Sequence, residues 1–391
     1  MARFVHTGDW QLGMTRHFLS PEAQARFTDA RLQAVRAIGR VAVEHGAAFV
    51  LVCGDVFESN HVDRQVVVRV LEALAAFPVP VYLLPGNHDP LDAGSVYRSR
   101  TFLAHRPASV VVLDGETPLE PCPGVELLAA PWRSKRPLED LVARACQNLA
   151  PDTGKIRIVA AHGAVDVLSP ARDEPALMRL DAIQAAIEAG CVHYVALGDR
   201  HSLTDVGRTG RIWYAGAPEP TDYDEVRPGH VAVVDVDARE VTVTPCAVGT
   251  WRFVRRSVSL DGPEDVAALR GWLADLPDKE RTVVQLRLTG TLALRDHAGL
   301  EELLDHHRDV LAALETPPLH TDLAVLPDDA DFAAMDLTGF ADATLVDLRA
   351  AAVSDADAAP VARDALGLLY RLSARVQTET SEAIGGGRGS P

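Results

Sequence analysis

Gly86-Asn87-His88-Asp89-Pro90 follows the apolar run Val79-Pro80-Val81-Tyr82-Leu83-Leu84. The run reads as a buried strand. Gly86 supplies backbone freedom where the chain must turn, and Pro90 blocks a smooth entry into a helix. The turn packs an amide oxygen, an imidazole and a carboxylate into three successive positions. At the carboxyl end of a strand in an open α/β sheet, such a set lies where ligands bind. Taken alone, an Asn-His-Asp turn is more often a polar turn than a site, so the decision rests on the rest of the chain.

The same arrangement recurs. Residues 3–7 form a short apolar strand ending at Gly8-Asp9, and residues 47–53 a near-continuous apolar run ending at Gly54-Asp55. Residues 156–161 lead into His162, and 193–197 into Gly198-Asp199 and His201. Between these runs, 22–44, 64–77 and 176–189 carry apolar residues at helical spacing. Strands alternating with helices predict a layered α/β domain with a mainly parallel sheet, whose carboxyl ends share one edge. Short strands at 212–215, 230–235 and 241–244 are expected to close that sheet. An Asp after a strand is usually a turn or cap residue, but five strand ends carrying metal-type ligands are not expected by chance. Carboxylate, imidazole and amide oxygen suit Mn²⁺ or a similar divalent ion, and the lack of cysteine among them argues against a thiolate-rich zinc site. Asp55, central in the set, is the natural bridge of an ion pair about 3.5–4 Å apart, which can activate water and stabilise in-line displacement at phosphorus. His88 is placed to act on the phosphate, stabilising charge or protonating the leaving oxygen.

Bulk properties agree. The chain has 391 residues, 47% of them hydrophobic, enough for two or three domains. A net charge of −17 argues against sequence-independent coating of nucleic acid but leaves room for a local basic path. The five cysteines are dispersed, with none at CxxC spacing, which fits a reducing cytoplasm. The chain opens almost directly on a strand, so no signal peptide is expected, and no apolar run reaches membrane-spanning length. The composition changes near Trp251. Strands are predicted at 253–260 and 282–288 and helices at 265–276 and 299–315, then a Pro-rich break and loop, and helices at 341–352 and 359–375.

The order Asp9-x-Gln11, Gly54-Asp55, Gly86-Asn87-His88-Asp89, His162, Gly198-Asp199-x-His201 resembles the calcineurin-like metallophosphoesterases. His6-Thr7-Gly8-Asp9-Trp10-Gln11-Leu12-Gly13, Gly54-Asp55-Val56-Phe57, Pro131-Trp132-Arg133 and Tyr214-Ala215-Gly216-Ala217-Pro218-Glu219 are similar to the SbcD-type branch, the nuclease subunit of double-strand-break repair complexes. The resemblance implies a layered β-sandwich flanked by helices over 1–250 and a small α+β capping domain over 251–318. It also implies a helical segment over 319–384 that docks on an SMC-like, SbcC-type ATPase; the Gly-rich tail over 385–391 reads as disordered from its composition. It implies one divalent ion on Asp9, Asp55 and His201 and another on Asp55, Asn87, His162 and residue 199. The ions would be Mn²⁺, with Mg²⁺ or Fe²⁺ at altered positions. His88 would be the non-ligand histidine with Asp89 orienting it, DNA the substrate, and the chain a homodimer. Two positions depart from the family's pattern: Gln11 and Asp199 stand where it usually has histidine. Gln11 offers a weaker neutral oxygen, and Asp199 adds charge that favours a harder ion.

Further expectations attach to single residues. Arg133, Lys135 and Arg136 adjoin the Pro-Trp-Arg of the resemblance and read as a path that tracks a DNA backbone, with solvated surface as the alternative; Arg252 through Arg256 could be either. Trp10 and Trp132 could stack bases or pack in the core. His307 reads as a surface residue. Besides a DNA nuclease, a phosphoesterase acting on a nucleotide or other small phosphodiester and a weakly active scaffolding subunit remain open.

Overall fold

A computed structural model describes residues 1–151, 154–169, 176–326 and 338–352, together with 361, 362, 365, 366 and 369. The chain divides into two compact units, Met1–Phe253 and Val254–Pro391.

The first unit begins with β1 (Ala2–Thr7), α1 (Pro21–Glu44), β2 (Val50–Cys53), α2 (Arg64–Ala75), β3 (Val81–Leu84), α3 (Arg100–His105), β4 (Val110–Val112) and β5 (Val125–Ala130). It continues with α4 (Leu141–Ala145), β6 (Ile156–His162), α5 (Leu180–Glu188), β7 (Tyr194–Gly198), β8 (Thr204–Asp205), β9 (Ile212–Tyr214), β10 (His230–Val236) and β11 (Val241–Ala247). These strands form two sheets, the layered sandwich that the resemblance implies: β11-β10-β1-β2-β3-β4 and β5-β6-β7-β9-β8. The first is parallel from β1 to β4, with β10 and β11 antiparallel at one edge. The second is parallel from β5 through β9, with β8 antiparallel.

Alternation along each strand explains the layering. In β2, Val50 and Val52 pack with Ile38 of α1 and Leu71 of α2, while Leu51 and Cys53 pack with Ile158, Ala160 and Tyr194 of the second sheet. In β6, Val159 and Ala161 turn to Val142 of α4 and Ile183 of α5. The central strands are therefore buried on both faces, which is why they read as unbroken apolar runs. The result is an α/β fold in which two facing sheets are covered on their outer sides by helices. α1 starts at Ser20, whose Oγ accepts from Ala23 N at 3.2 Å, with Pro21 in the first turn.

His6 joins the two sheets inside this core. Its Nδ1 lies 3.1 Å from the Tyr194 hydroxyl and its Nε2 3.1 Å from the Leu197 carbonyl. A carbonyl only accepts, so Nε2 carries the proton and Nδ1 receives the Tyr194 hydroxyl, leaving a neutral ring fully satisfied. Burial lowers its pKa from 6.5 to about 3. A depressed pKa means that the unfolded chain binds the proton more readily, so stability is full above 6.5 and falls as pH drops toward 3. Each pH unit in that window costs about 1.4 kcal/mol. In urea unfolding, wild type should lose roughly 2 kcal/mol more than His6→Gln between pH 6.5 and pH 5; equal losses would show that His6 carries no such linkage.

The second unit is built from β12 (Arg252–Leu260), α6 (Pro263–Ala274), β13 (Thr282–Ala293), α7 (Leu294–Val310), β14 (Ala313–Glu315), β15 (Asp322–Leu326) and α8 (Phe340–Ala352). Its sheet runs β12-β13-β14, and β15 also pairs with β13, farther along the strand. Leu260, Leu286 and Leu288 of the sheet meet Leu269 and Leu273 of α6 and Leu300, Leu303 and Leu304 of α7. The helix expected over 299–315 ends at Val310, and its last apolar residues form β14 instead. His307 is buried, its Nδ1 2.9 Å from the Leu303 carbonyl of the same helix, and is not a surface residue. The loop expected after residue 326, much of the helix expected at 359–375 and the tail 385–391 lie outside the described residues.

A candidate divalent metal centre

Asp9 follows β1, Asp55 follows β2, Asn87 and His88 follow β3, His162 ends β6, and Asp199 and His201 follow β7. Both sheets thus supply the site from the carboxyl ends of their parallel strands. The two edges come close because glycines line the approach. A Cβ on Gly198 would lie 1.7 Å from the Cys53 carbonyl oxygen, and one on Gly86 would lie 2.1 Å from Asp55 Oδ1.

The local backbone is unusual at the ligand positions. Asp9, Gln11, Asp55 and Asp199 have φ of 54°, 43°, 53° and 103°. Side chains rarely occupy this left-handed region, and each such residue costs on the order of 1–3 kcal/mol unless its surroundings hold it there. The surroundings do so here. Asp9 N donates to the Gly54 carbonyl at 3.0 Å and Gln11 N to the Asp55 carbonyl at 2.8 Å. Asp199 N donates to both Asp9 carboxylate oxygens, at 3.0 and 3.1 Å.

Ligand atoms of Asp9, Asp55 and His162 all lie within 4.8 Å of one another, and all three residues are buried. His162 Nδ1 is 2.9 Å from the Cys53 carbonyl and so carries a proton, which turns the other ring nitrogen into the site. There His162 Nε2 lies 2.7 Å from Asn87 Oδ1, 3.4 Å from Asp55 Oδ1 and 3.8 Å from Asp199 Oδ1. Rotating the Asn87 amide satisfies its neighbours: its nitrogen then donates to His162 Nε2 at 2.7 Å and to the two Asp55 oxygens at 3.2 and 3.1 Å. Gln11 Oε1 is buried without a hydrogen-bond partner. Buried carboxylates and an imidazole that converge in this way fit a divalent cation.

The electrostatics agree. Burial raises the Asp9 pKa to about 6, with Asp55 and Asp199 pushing the same way against His201 and His162. Burial would raise Asp55 too, but His162 and His88 outweigh it and hold that carboxyl below its ordinary value. Burial opposes charge on His162, yet Asp55, Asp9 and Asp199 lift its pKa well above the ordinary value. Protons and divalent cations compete for these lone pairs.

His88 is partly exposed at the edge of this set. Its Nε2 is 4.0 Å from Asp55 Oδ2, while its backbone N donates to Asp55 Oδ1 at 3.0 Å. Asp89 does not orient it, contrary to expectation. Asp89 is fully buried, with Oδ1 accepting from Gly86 N at 2.8 Å and Oδ2 from Phe57 N at 3.0 Å and the Tyr97 hydroxyl at 2.6 Å. The carboxylate ties the turn to the segment after β2. The Glu58 carbonyl orients His88 instead, 2.9 Å from Nδ1.

His201 stands opposite, with Nδ1 3.0 Å from Glu225 Oε1 and 2.5 Å from Thr221 Oγ1, and Nε2 3.4 Å from Gln11 Nε2. Glu225, which also accepts from the backbone N of Thr221 and Asp222, belongs to Tyr223-Asp224-Glu225, a stretch that the sequence marks as a cleft-shaping loop without assigning it a step. It lies on a loop with no ligand spacing to announce it.

Trp10 is buried and donates to Thr7 Oγ1 at 2.9 Å, so it is a core residue. Trp132 is partly exposed and donates from Nε1 to the His162 carbonyl at 2.6 Å. Arg133, Lys135 and Arg136 continue from it on the surface. In the second unit, Arg256 lies over the Trp272 ring at 4.5 Å and Arg255 donates to Gln285 at 2.7 Å.

A family model of calcineurin-like phosphoesterases matches residues 2–201, just over half of the 391 residues, and the chain belongs to that family. The family's chemistry is metal-dependent hydrolysis of phosphoesters. Among solved structures, the protein TT1561 of Thermus thermophilus is similar at 12% identity, over 63% of this chain and 99% of its own, with a TM-score of 0.40. The purple acid phosphatase PPD1 from yellow lupin (Lupinus luteus) seeds is similar at 13% identity and a TM-score of 0.39, over 63% of this chain and 51% of its own. The match thus spans about half of the lupin protein. No curated protein matches the chain.

Proposed function

We propose that this centre hydrolyses phosphodiester bonds of DNA, with Mn²⁺ as its ion, as the nuclease subunit of an SbcCD-like complex. The observation that carries the reading is the placement of His88. When bound, divalent ions supply Lewis acidity and lower the pKa of a water. Asp9, Gln11, Asp55, Asn87, His162, Asp199 and His201 would hold them, with Asp55 shared. His88 stays outside the convergent set, and the Glu58 carbonyl fixes its Nδ1 proton. Its Nε2 is therefore the atom that exchanges a proton at the site's mouth, where it protonates the departing sugar oxygen.

A polymer is favoured over a small phosphodiester by the segment 131–136. Trp132 ties that segment to the site through the His162 carbonyl, through Pro85 O at 3.1 Å and through Leu91 N at 2.8 Å. The exposed Arg133, Lys135 and Arg136 then extend from the metal centre as a path for phosphates. Replacing all three by glutamine should weaken DNA cleavage and flatten its salt dependence by about 0.7–0.9 in log–log slope per lost contact. Hydrolysis of bis-p-nitrophenyl phosphate should not change. Unchanged DNA cleavage would favour the small-phosphodiester reading.

The reading extends to a cytoplasmic homodimer that docks an SMC-like ATPase through its C-terminal region. α8 supports the docking surface: Leu345 is buried with Leu366, while Phe340 is 87% and Val346 60% exposed. Among the described residues, no helix is long and apolar enough to cross a membrane.

A further inference from the structure

We propose that Arg31 of α1, which lies outside the ligand set, positions the metal centre by holding the Trp10 carbonyl. The inference rests on the metal-centre reading and adds a residue to it. Asp9 and Gln11, both in the proposed ligand set, flank Trp10, and both have a left-handed backbone, with φ of 54° and 43°. A free chain seldom visits such a conformation twice in three residues. Hydrogen bonds from the segment after β2 hold one side of it. Asp9, Gln11 and Leu12 donate to the carbonyls of Gly54, Asp55 and Val56.

The peptide unit between Trp10 and Gln11 is clamped at both ends. Its N–H donates to the Asp55 carbonyl at 2.8 Å. Its carbonyl accepts from Arg31 Nε at 3.1 Å and from Arg31 Nη2 at 2.6 Å. Among the described residues, no backbone N–H reaches that carbonyl. The orientation of this peptide plane sets φ of Gln11 and the path back to Asp9, so the guanidinium fork fixes where both side chains point. Two donors in a rigid plane are what arginine offers and lysine does not.

The surroundings of Arg31 suit that task. The residue is 2% exposed, and its guanidinium lies 5.3 Å from the centre of the buried Phe27 ring. Burial lowers its pKa from 12.5 to about 10, with Glu219, Glu225 and Glu58 acting against burial and Arg16 with it. The side chain therefore keeps its charge at neutral pH, and a charged donor makes the stronger hydrogen bond. Glu225 also orients His201, and the Glu58 carbonyl orients His88. One cation thus balances the carboxylates of both residues that orient the site's outer histidines.

The test is a Mn²⁺ titration of the metal-stripped full-length chain, with free ion counted by electron paramagnetic resonance well below each variant's melting temperature. Arg31→Met keeps an apolar stem and loses every donor. It should weaken Mn²⁺ binding about 10–100-fold, the usual weight of a residue that orients a ligand. Arg31→Lys keeps the charge with a point donor in place of the fork, and its affinity should fall between the two. If Arg31→Met does not fold, Arg31→Lys decides alone. Ile183→Ala, in the buried layer between α5 and the second sheet, is the control for lost packing. It should melt lower and bind Mn²⁺ as wild type does. Arg31 variants that melt lower yet bind Mn²⁺ as tightly as wild type would overturn the inference, and so would an equal loss of affinity in Ile183→Ala. Wild-type protein that binds no Mn²⁺ would overturn the metal-centre reading itself.

Discussion

His88→Ala should lower phosphodiester hydrolysis by about 10²–10⁴-fold, the usual range for a positioned proton donor or acceptor. It should leave the ion content of the protein unchanged. The separation follows from geometry. His88 Nδ1 is taken by the Glu58 carbonyl and Nε2 lies 4.0 Å from Asp55 Oδ2, at the rim of the ligand set. Removing the ring leaves Asp55 its hydrogen bond from the His88 backbone N. The loss should be smallest for substrates with good leaving groups such as p-nitrophenolate, because these need less help from an acid. A variant that loses bound ions in proportion to its activity would make His88 a ligand.

Gly86→Ala should be more disruptive than its size suggests. The added Cβ would lie 2.1 Å from Asp55 Oδ1 and 2.5 Å from Asp55 N. The second is a backbone atom at the end of β2, and it cannot yield as a flexible side chain could. Gly86 N also donates to Asp89 Oδ1 at 2.8 Å, so shifting the turn pulls on the buried carboxylate that anchors it. Overpacking of this kind costs about 1–3 kcal/mol, and the displaced Asp55 carboxylate should remove tight ion binding. The contrasting change is Gly271→Ala in α6, where nothing lies within 4 Å of the added methyl group. That substitution should raise stability by about 0.5–1 kcal/mol through helix propensity. Calorimetric melts and metal content of the two variants test the pair. A Gly86→Ala protein with wild-type melting and ion content would refute the crowding argument.

Much of the centre was legible in the sequence for a physical reason. Strands buried on both faces are short, unbroken apolar runs, so their ends are sharp, and the polar groups after β1, β2, β3, β6 and β7 stand out. The division into two sheets came from the resemblance and not from the strand pattern, because which strands pair is a non-local property. β4 and β5 are brief runs, Val110–Val112 and Val125–Ala130, that carry no ligand to mark them. The supporting residues were harder still. Asp89 neighbours His88 in sequence, but the turn sends one side chain inward to Phe57, Gly86 and Tyr97 and leaves the other at the rim. Glu225 reaches His201 across 24 positions, by way of a loop whose path no periodicity encodes. The apolar residues after Val310 continue a helical pattern and still form a strand, because a short apolar run does not by itself choose between the two.

The central claim is that the strand ends of both sheets converge on a divalent-ion centre that cleaves phosphodiesters. Reconstitution of metal-stripped protein tests it most directly, with hydrolysis of bis-p-nitrophenyl phosphate followed as Mn²⁺ is added to wild type and to Asp55→Asn. Activity that appears with Mn²⁺ in wild type and is absent from Asp55→Asn is the predicted result. Wild-type protein that binds its ions and cleaves no phosphodiester, or an Asp55→Asn protein as active as wild type, would contradict it.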